Sequence, residues 1–197
     1  MPIKQKLIQL VLEGLIPLLG FFLWDWSLYF ILLFYFIDLA ASELIIHLKS
    51  RKTIRYKNNI GEKKRWLKWG IISAILFVFG LFVIHTAMFF IAPGIQFCTE
   101  VYDFINYEEM GIKQGYILIP LVLLLSYQQY KMTFLMPARF RNTDIQSLWK
   151  GHIIATIAII AFAGLSLGIA QFVLFPEIIY VLGIVFFSSL FALRFKN

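Results

Sequence analysis

The stretch WLKWGIISAILFVFGLFVIHTAMFFIA, residues 66–92, decides the fold class, because no Asp, Glu, Lys or Arg follows Lys68 within it. A helix that crosses the hydrocarbon core of a bilayer needs about 20 predominantly apolar residues. A segment of this length and composition therefore predicts a transmembrane helix. Pro93 and Gly94 follow directly, and both are residues typical of a helix end.

Five further segments have a similar composition. Hydrophobic residues make up 60% of the 197 residues and charged residues only 15%, which is too few charges to cover a soluble domain. Because lipid offers no hydrogen-bond partner to the backbone, we expect these segments to be helices. The sequence therefore predicts an all-α, polytopic transmembrane bundle that forms a single domain over residues 1–197. Its six spans are predicted near residues 7–24, 27–48, 66–92, 116–136, 152–175 and 177–193.

The basic residues predict the orientation of these spans. If the chain crosses the membrane six times, all 18 Lys and Arg residues except Lys113 lie on one side. The densest group is the connection of residues 49–68, whereas acidic residues such as Glu100 and Asp103 collect on the other side. Basic connections stay in the cytoplasm. Both termini are therefore predicted to be cytoplasmic.

The same charge distribution predicts the partners. The net charge of +7 would favour nucleic acid if it lay on a soluble face. At the membrane surface, a basic connection such as 49–68 attracts anionic lipid headgroups, so we expect lipid and no nucleic acid. A homo-oligomer or a membrane protein partner is also compatible with the sequence. Gly164, Ser166, Gly168 and Ala170 offer a close-packing surface on the fifth span, within the protein or between subunits.

Cysteine and histidine spacing predicts no cofactor. Cys98 is the single cysteine, so no intrachain disulfide is possible, and no Cys/His group has the spacing of a zinc site. His47 and His152 lie near the same predicted membrane boundary, but the sequence shows no arrangement of two histidines in facing spans that would predict haem. No metal ligand and no catalytic residue are predicted.

Ionisable residues inside a span are costly and therefore mark candidate sites. Glu13, Glu43 and Lys131 form one layer, roughly 7 to 9 Å from the basic ends of their spans. Asp38 lies near the midplane, and Tyr35 shares its helix face. The candidate intramembrane polar site consists of Asp38, Glu13, Glu43, Lys131, His85 and Tyr35.

Two interpretations of this polar layer stay open. In the first, Glu13, Glu43 and Lys131 surround a water-filled inner vestibule, with Asp38 deeper. In the second, Lys131 neutralises Glu13 or Glu43, and the other side chains reach the cytoplasmic surface. The short Asp38 side chain is predicted to point into the bundle in either case, and His85 to form an interhelical hydrogen bond.

Several motifs resemble those of an uncharacterised family of small polytopic prokaryotic membrane proteins. The motifs are the Pro-containing segment 15–20, Trp26, the element 35–38 and the element 85–89. Phe36 and Asp38 stand where the family has Trp and Glu, and Thr86 and Ala87 also depart from its pattern. The resemblance covers about the first half of the chain and implies no established activity. It directs attention to Asp38 and His85, and it implies the inner membrane of a prokaryote.

Three functions remain possible on the sequence alone. A transport-like or pore-forming module would have a hydrated cavity that reaches Asp38. A non-catalytic accessory or assembly subunit of a membrane complex would have a dry bundle and an outward-facing small-residue surface. An intramembrane enzyme would bring an acid and a base together at a cleft open to lipid. The first is our expectation.

Overall fold

The computed structural model describes residues 14–106, 108–109, 112–173 and 175–195. Glu13, with the beginning of the first predicted span, lies outside the described residues. Seven α-helices are present in the described chain: α1 Gly14–Leu23, α2 Leu28–Lys57, α3 Ile60–Ile91, α4 Phe97–Asn106, α5 Gln114–Tyr130, α6 Ile145–Ala170 and α7 Glu177–Phe195.

Three of these helices, α2, α3 and α6, are long and apolar enough to cross a membrane. The all-α fold class is therefore confirmed, and the chain has the features of an integral membrane protein. Large apolar side chains such as Phe79 and Phe82 of α3 are exposed on the protein surface. Such an exterior suits contact with lipid.

The helices extend further into the basic connection than the sequence predicts. The second span was expected to end near Leu48, but α2 continues to Lys57 and α3 already begins at Ile60. Asn58 ends α2 with a left-handed backbone conformation (φ 46°), and the Asn59 side chain accepts a hydrogen bond from the Gly61 N–H, which caps α3. Asparagine tolerates both positions. The 49–68 connection is therefore helical apart from this break.

Short elements join the remaining helices. The strands β1 Glu108–Glu109 and β2 Ile112–Lys113 pair antiparallel after α4. A π-helical turn at Lys131–Leu135 follows α5, and a 3₁₀ turn at Arg139–Arg141 precedes α6. The fifth predicted span is shifted, because α6 ends at Ala170 rather than close to Pro176.

The helices pack in two main pairs, since α3 makes its largest contact with α6, and α2 with α5. Near the 49–68 connection, Ile46, Ile145 and Trp149 form a buried cluster, in which Trp149 is 0% exposed. A larger buried cluster at the opposite end of α2 includes Tyr29 and Ile31. Polar groups lie between these two clusters.

Candidate functional site

Glu43 of α2 connects three helices through its carboxylate. His152 of α6 places Nε2 at 2.5 Å from Glu43 Oε2, and the Ser73 hydroxyl of α3 donates to the same oxygen at 2.8 Å. Ser73 is 0% exposed, and the side chain of His152 is 8% exposed. Because Glu43 Oε2 can only accept when ionised, we infer that His152 donates from Nε2.

His47, one helical turn from Glu43, adds a second imidazole to this cluster. Its Nε2 lies 3.6 Å from Glu43 Oε1, while its Nδ1 accepts a hydrogen bond from the indole N–H of Trp66 at 3.1 Å. A nitrogen that accepts from Trp carries no proton, so the neutral imidazole has its proton on Nε2, facing Glu43. Gly70 makes room for this ring, because a Cβ there would lie 3.0 Å from His47 Cε1.

The structure corrects the predicted partner of Glu43. The pairing of Lys131 with Glu43 is wrong, since the carboxylate faces His152, His47 and Ser73, and Lys131 is exposed on the π-helical turn. The alternative partner, Glu13, lies outside the described residues. We call the side chains of Glu43, His47, Trp66, Ser73 and His152 the Glu43 cluster.

The Glu43 cluster also brings together the two histidines that the sequence left apart. His47 and His152 approach opposite oxygens of one carboxylate. Nevertheless, in the described part of the chain no group of three His, Cys, Asp or Glu side chains has a geometry that would hold a metal ion. The arrangement is suited to holding helices together or to passing a proton between Glu43 and His152.

His85 forms the interhelical hydrogen bond that was predicted. Its Nε2 lies 2.9 Å from the Tyr29 hydroxyl of α2, and its Nδ1 lies 2.8 Å from the carbonyl oxygen of Leu81. A carbonyl only accepts, so Nδ1 carries the proton and Nε2 accepts from Tyr29. The ring stacks on Phe36 with the planes 3° apart. His85 therefore has both nitrogens satisfied within the bundle, as a structural residue would.

A cavity of about 570 Å³ lies between the helices. Asp38 and Tyr35 of α2 line it, and both are partly buried. Glu43 and Lys131 are not part of its wall, so this cavity is not the vestibule that the sequence predicted around Glu13, Glu43 and Lys131. His152 belongs to the Glu43 cluster and also lines the cavity. The cavity walls come mainly from α2 and α6, with contributions from α3, α5, α7 and the two turns between α5 and α6.

Two cationic residues of the cavity wall were not predicted as site residues. Lys49 of α2 and Arg139 of the 3₁₀ turn line the cavity at its end nearest the 49–68 connection. In the sequence, both belong to the basic residues that predict the membrane orientation, and nothing in their spacing predicts a ligand site. His152 and Ser73 were missed for a similar reason, since each belongs to the Glu43 cluster only through helix packing.

Comparison with protein-family models, with characterised proteins and with solved structures found no match to this chain.

Proposed function

We propose that the chain is a six-span protein of a prokaryotic inner membrane with both termini in the cytoplasm, and that it acts as a transport-like module. The shorter helices α1, α5 and α7 would supply the three spans beyond α2, α3 and α6. For α5 the π-helical turn extends the helical segment to Leu135. The segment with α4 and the two short strands would then lie on the outer side.

The observation that carries the proposal is the cavity lined by Asp38. Protein interiors are close-packed and contain few voids larger than a water molecule. A cavity of about 570 Å³ falls in the range of roughly 300–1,000 Å³ that is typical of small-molecule sites. A packed bundle with a purely structural role has no need of such a volume, so binding or passage of a solute explains it better.

The cavity also has the length that passage requires. Its wall includes Leu28 and Lys49, near the two ends of the apolar part of α2. At ~1.5 Å per residue these positions are about 32 Å apart, close to the ~30 Å thickness of a hydrocarbon core. Asp38 lies between them, where its carboxylate would bind a cation or carry a proton.

One observation favours an accessory subunit as the second candidate. Gly164 and Gly168 of α6 are exposed, and a Cβ atom at either would meet nothing within 4 Å. Small residues on an outward helix face allow another helix to approach closely in a membrane. This surface suits a membrane partner or a second copy of the chain.

Ion flux into liposomes tests the transport proposal. The purified full chain would be reconstituted with an imposed proton, sodium or potassium gradient and an internal indicator dye. We expect flux of at least one of these ions, and a decrease of tenfold or more in Asp38→Asn, because the neutral amide can neither release a proton nor offset a cation.

Asp103→Asn is the matched control, since Asp103 is exposed on α4 and outside the cavity wall. This variant should retain the flux of the unsubstituted chain. Absence of flux for all three ions in the unsubstituted protein would overturn the transport proposal and favour the accessory subunit.

A further inference from the structure

One end of the cavity carries two cationic side chains, Lys49 and Arg139. Lys49 is partly buried and Arg139 is exposed, and their like charges repel each other at this end of the cavity wall. None of the ion pairs formed among the described residues involves either side chain. The Lys49 ammonium instead lies 5.9 Å from the centre of the Phe134 ring. Two neighbouring cations at a cavity wall therefore lack an acidic partner in the described structure.

Such a pair favours an anion in the space between the two side chains. A buried or half-buried charge is costly unless it is paired, and a second cation beside it increases the cost. An anionic oxygen group would relieve the repulsion and accept charge-assisted hydrogen bonds from both side chains. Gln129 and Tyr130 line the same end of the cavity and carry further donors.

The threonine and serine hydroxyl groups at this end already donate within the protein. Thr133 donates to the Gln129 carbonyl oxygen at 2.7 Å, Thr143 to the Arg139 carbonyl oxygen at 2.7 Å, and Ser147 to the Asp144 carbonyl oxygen at 2.9 Å. Recognition of a ligand at this end would therefore rely mainly on Lys49 and Arg139, that is, on charge.

Beyond this end, the cavity continues past largely apolar side chains. These include Leu32 and Leu39 of α2, Ile84 and Met88 of α3, and Ile159 of α6. The face of α2 that lines the cavity is about 32 Å long. With a volume of about 570 Å³, the cavity is therefore long and narrow. This shape suits an extended hydrocarbon chain better than a compact solute.

Asp38 does not oppose an anion at the cationic end. Asp38 and Lys49 are separated by about 16 Å along the helix axis. The carboxylate is therefore far from the position of the head group, and a chain passing Asp38 would carry no charge at that depth.

We propose that the cavity binds one molecule of an anionic amphiphile, with its phosphate head group between Lys49 and Arg139 and its acyl chain along the apolar wall. Amphiphiles of this kind are concentrated in the bilayer that surrounds the protein. This inference rests on the proposed function in one respect: it takes the same cavity as a ligand site, and it adds an amphiphile as a ligand distinct from the ion at Asp38.

Native mass spectrometry of the full chain in dodecyl maltoside tests the proposal. The probes would be dodecyl phosphate, dodecyl trimethylammonium with the same chain and the opposite charge, and inorganic phosphate. We expect one dodecyl phosphate to bind per protein. Lys49→Met and Arg139→Gln should each weaken binding by about tenfold or more, the loss typical of a charge-assisted hydrogen bond.

Two matched variants control for the general basic character of this surface. Lys131→Met and Arg141→Gln remove exposed cations that lie outside the cavity wall, and both should bind dodecyl phosphate as the unsubstituted chain does. If Lys49→Met fails to fold, Lys49→Arg provides the second test, because it keeps the charge and should keep the binding.

Three results would overturn the inference. These are equal binding of the cationic probe, equal loss of binding in the control variants, and full competition by inorganic phosphate at the concentration of dodecyl phosphate. The last would identify a small anion as the ligand. Binding of dodecyl phosphate without ion flux would support this inference and contradict ion transport. Ion flux without binding of dodecyl phosphate would support ion transport and contradict this inference.

Discussion

At the scale of single residues, Gly20 is a position where the fold leaves no room for a side chain. A Cβ atom there would lie 2.2 Å from Cε3 of Trp26, a buried ring at 4% exposure. The Gly20 carbonyl oxygen also accepts the backbone N–H groups of Trp24 and Trp26 at 3.1 and 3.0 Å. We expect Gly20→Ala to displace Trp26 and lower the free energy of unfolding by about 1–3 kcal/mol, measured by denaturant titration in mixed micelles.

Gly168→Ala is the control for this prediction, because it adds the same methyl group to open space on α6. Alanine is the better helix former, by up to about 1 kcal/mol, so this variant should be as stable as the unsubstituted chain or slightly more stable. Equal stability of the two variants would contradict the contact between Gly20 and Trp26.

At the scale of helices, the Glu43 cluster holds α2, α3 and α6 in register. The measurement is a double-mutant cycle with Glu43→Leu and His152→Leu. Glu43→Leu leaves His152 without its acceptor, and His152→Leu leaves Glu43 with Ser73 and His47 alone, whereas the double substitution removes both members of the pair. We expect a coupling free energy of about 1–3 kcal/mol, in the range for residues in direct contact.

A second cycle, with Glu43→Leu and Lys131→Leu, tests the pairing that the structure rejects. Lys131 is exposed and outside the Glu43 cluster, so the two effects should add to within about 0.5 kcal/mol. A coupling larger than that between Glu43 and His152 would restore the pairing expected from the sequence.

At the scale of the whole molecule, the proposed six-span arrangement would place the α2–α3 break in the cytoplasm and α4 outside. Single cysteines test this arrangement in a Cys98→Ala background, since Cys98 is itself exposed. A cysteine at Ile60, which is 77% exposed, should be protected in intact cells from a membrane-impermeant thiol reagent. A cysteine at Thr99, exposed on α4, should react. Outside labelling at Ile60 would contradict the proposed orientation.

The fold class could be predicted from the sequence because it depends on local composition. A long apolar segment such as residues 66–92 can bury its backbone polar groups in lipid only as a helix, and α3 confirms this. The midplane position of Asp38 stays a prediction from spacing along one helix, whereas the structure places this residue on a cavity wall. The interhelical role of His85 could be predicted because a polar side chain in lipid needs a partner.

The choice of partners depended on the tertiary structure. Glu43 and His152 are 109 positions apart in the chain. From the sequence, Lys131 was an equally plausible partner of Glu43, but in the packed helices its side chain is exposed. Lys49 and Arg139 likewise lie at the same end of the cavity only because the 3₁₀ turn after α5 places Arg139 there. The physical reason is that hydropathy and charge act on each helix separately, whereas the rotation and neighbours of each helix are settled only when side chains from distant segments pack together.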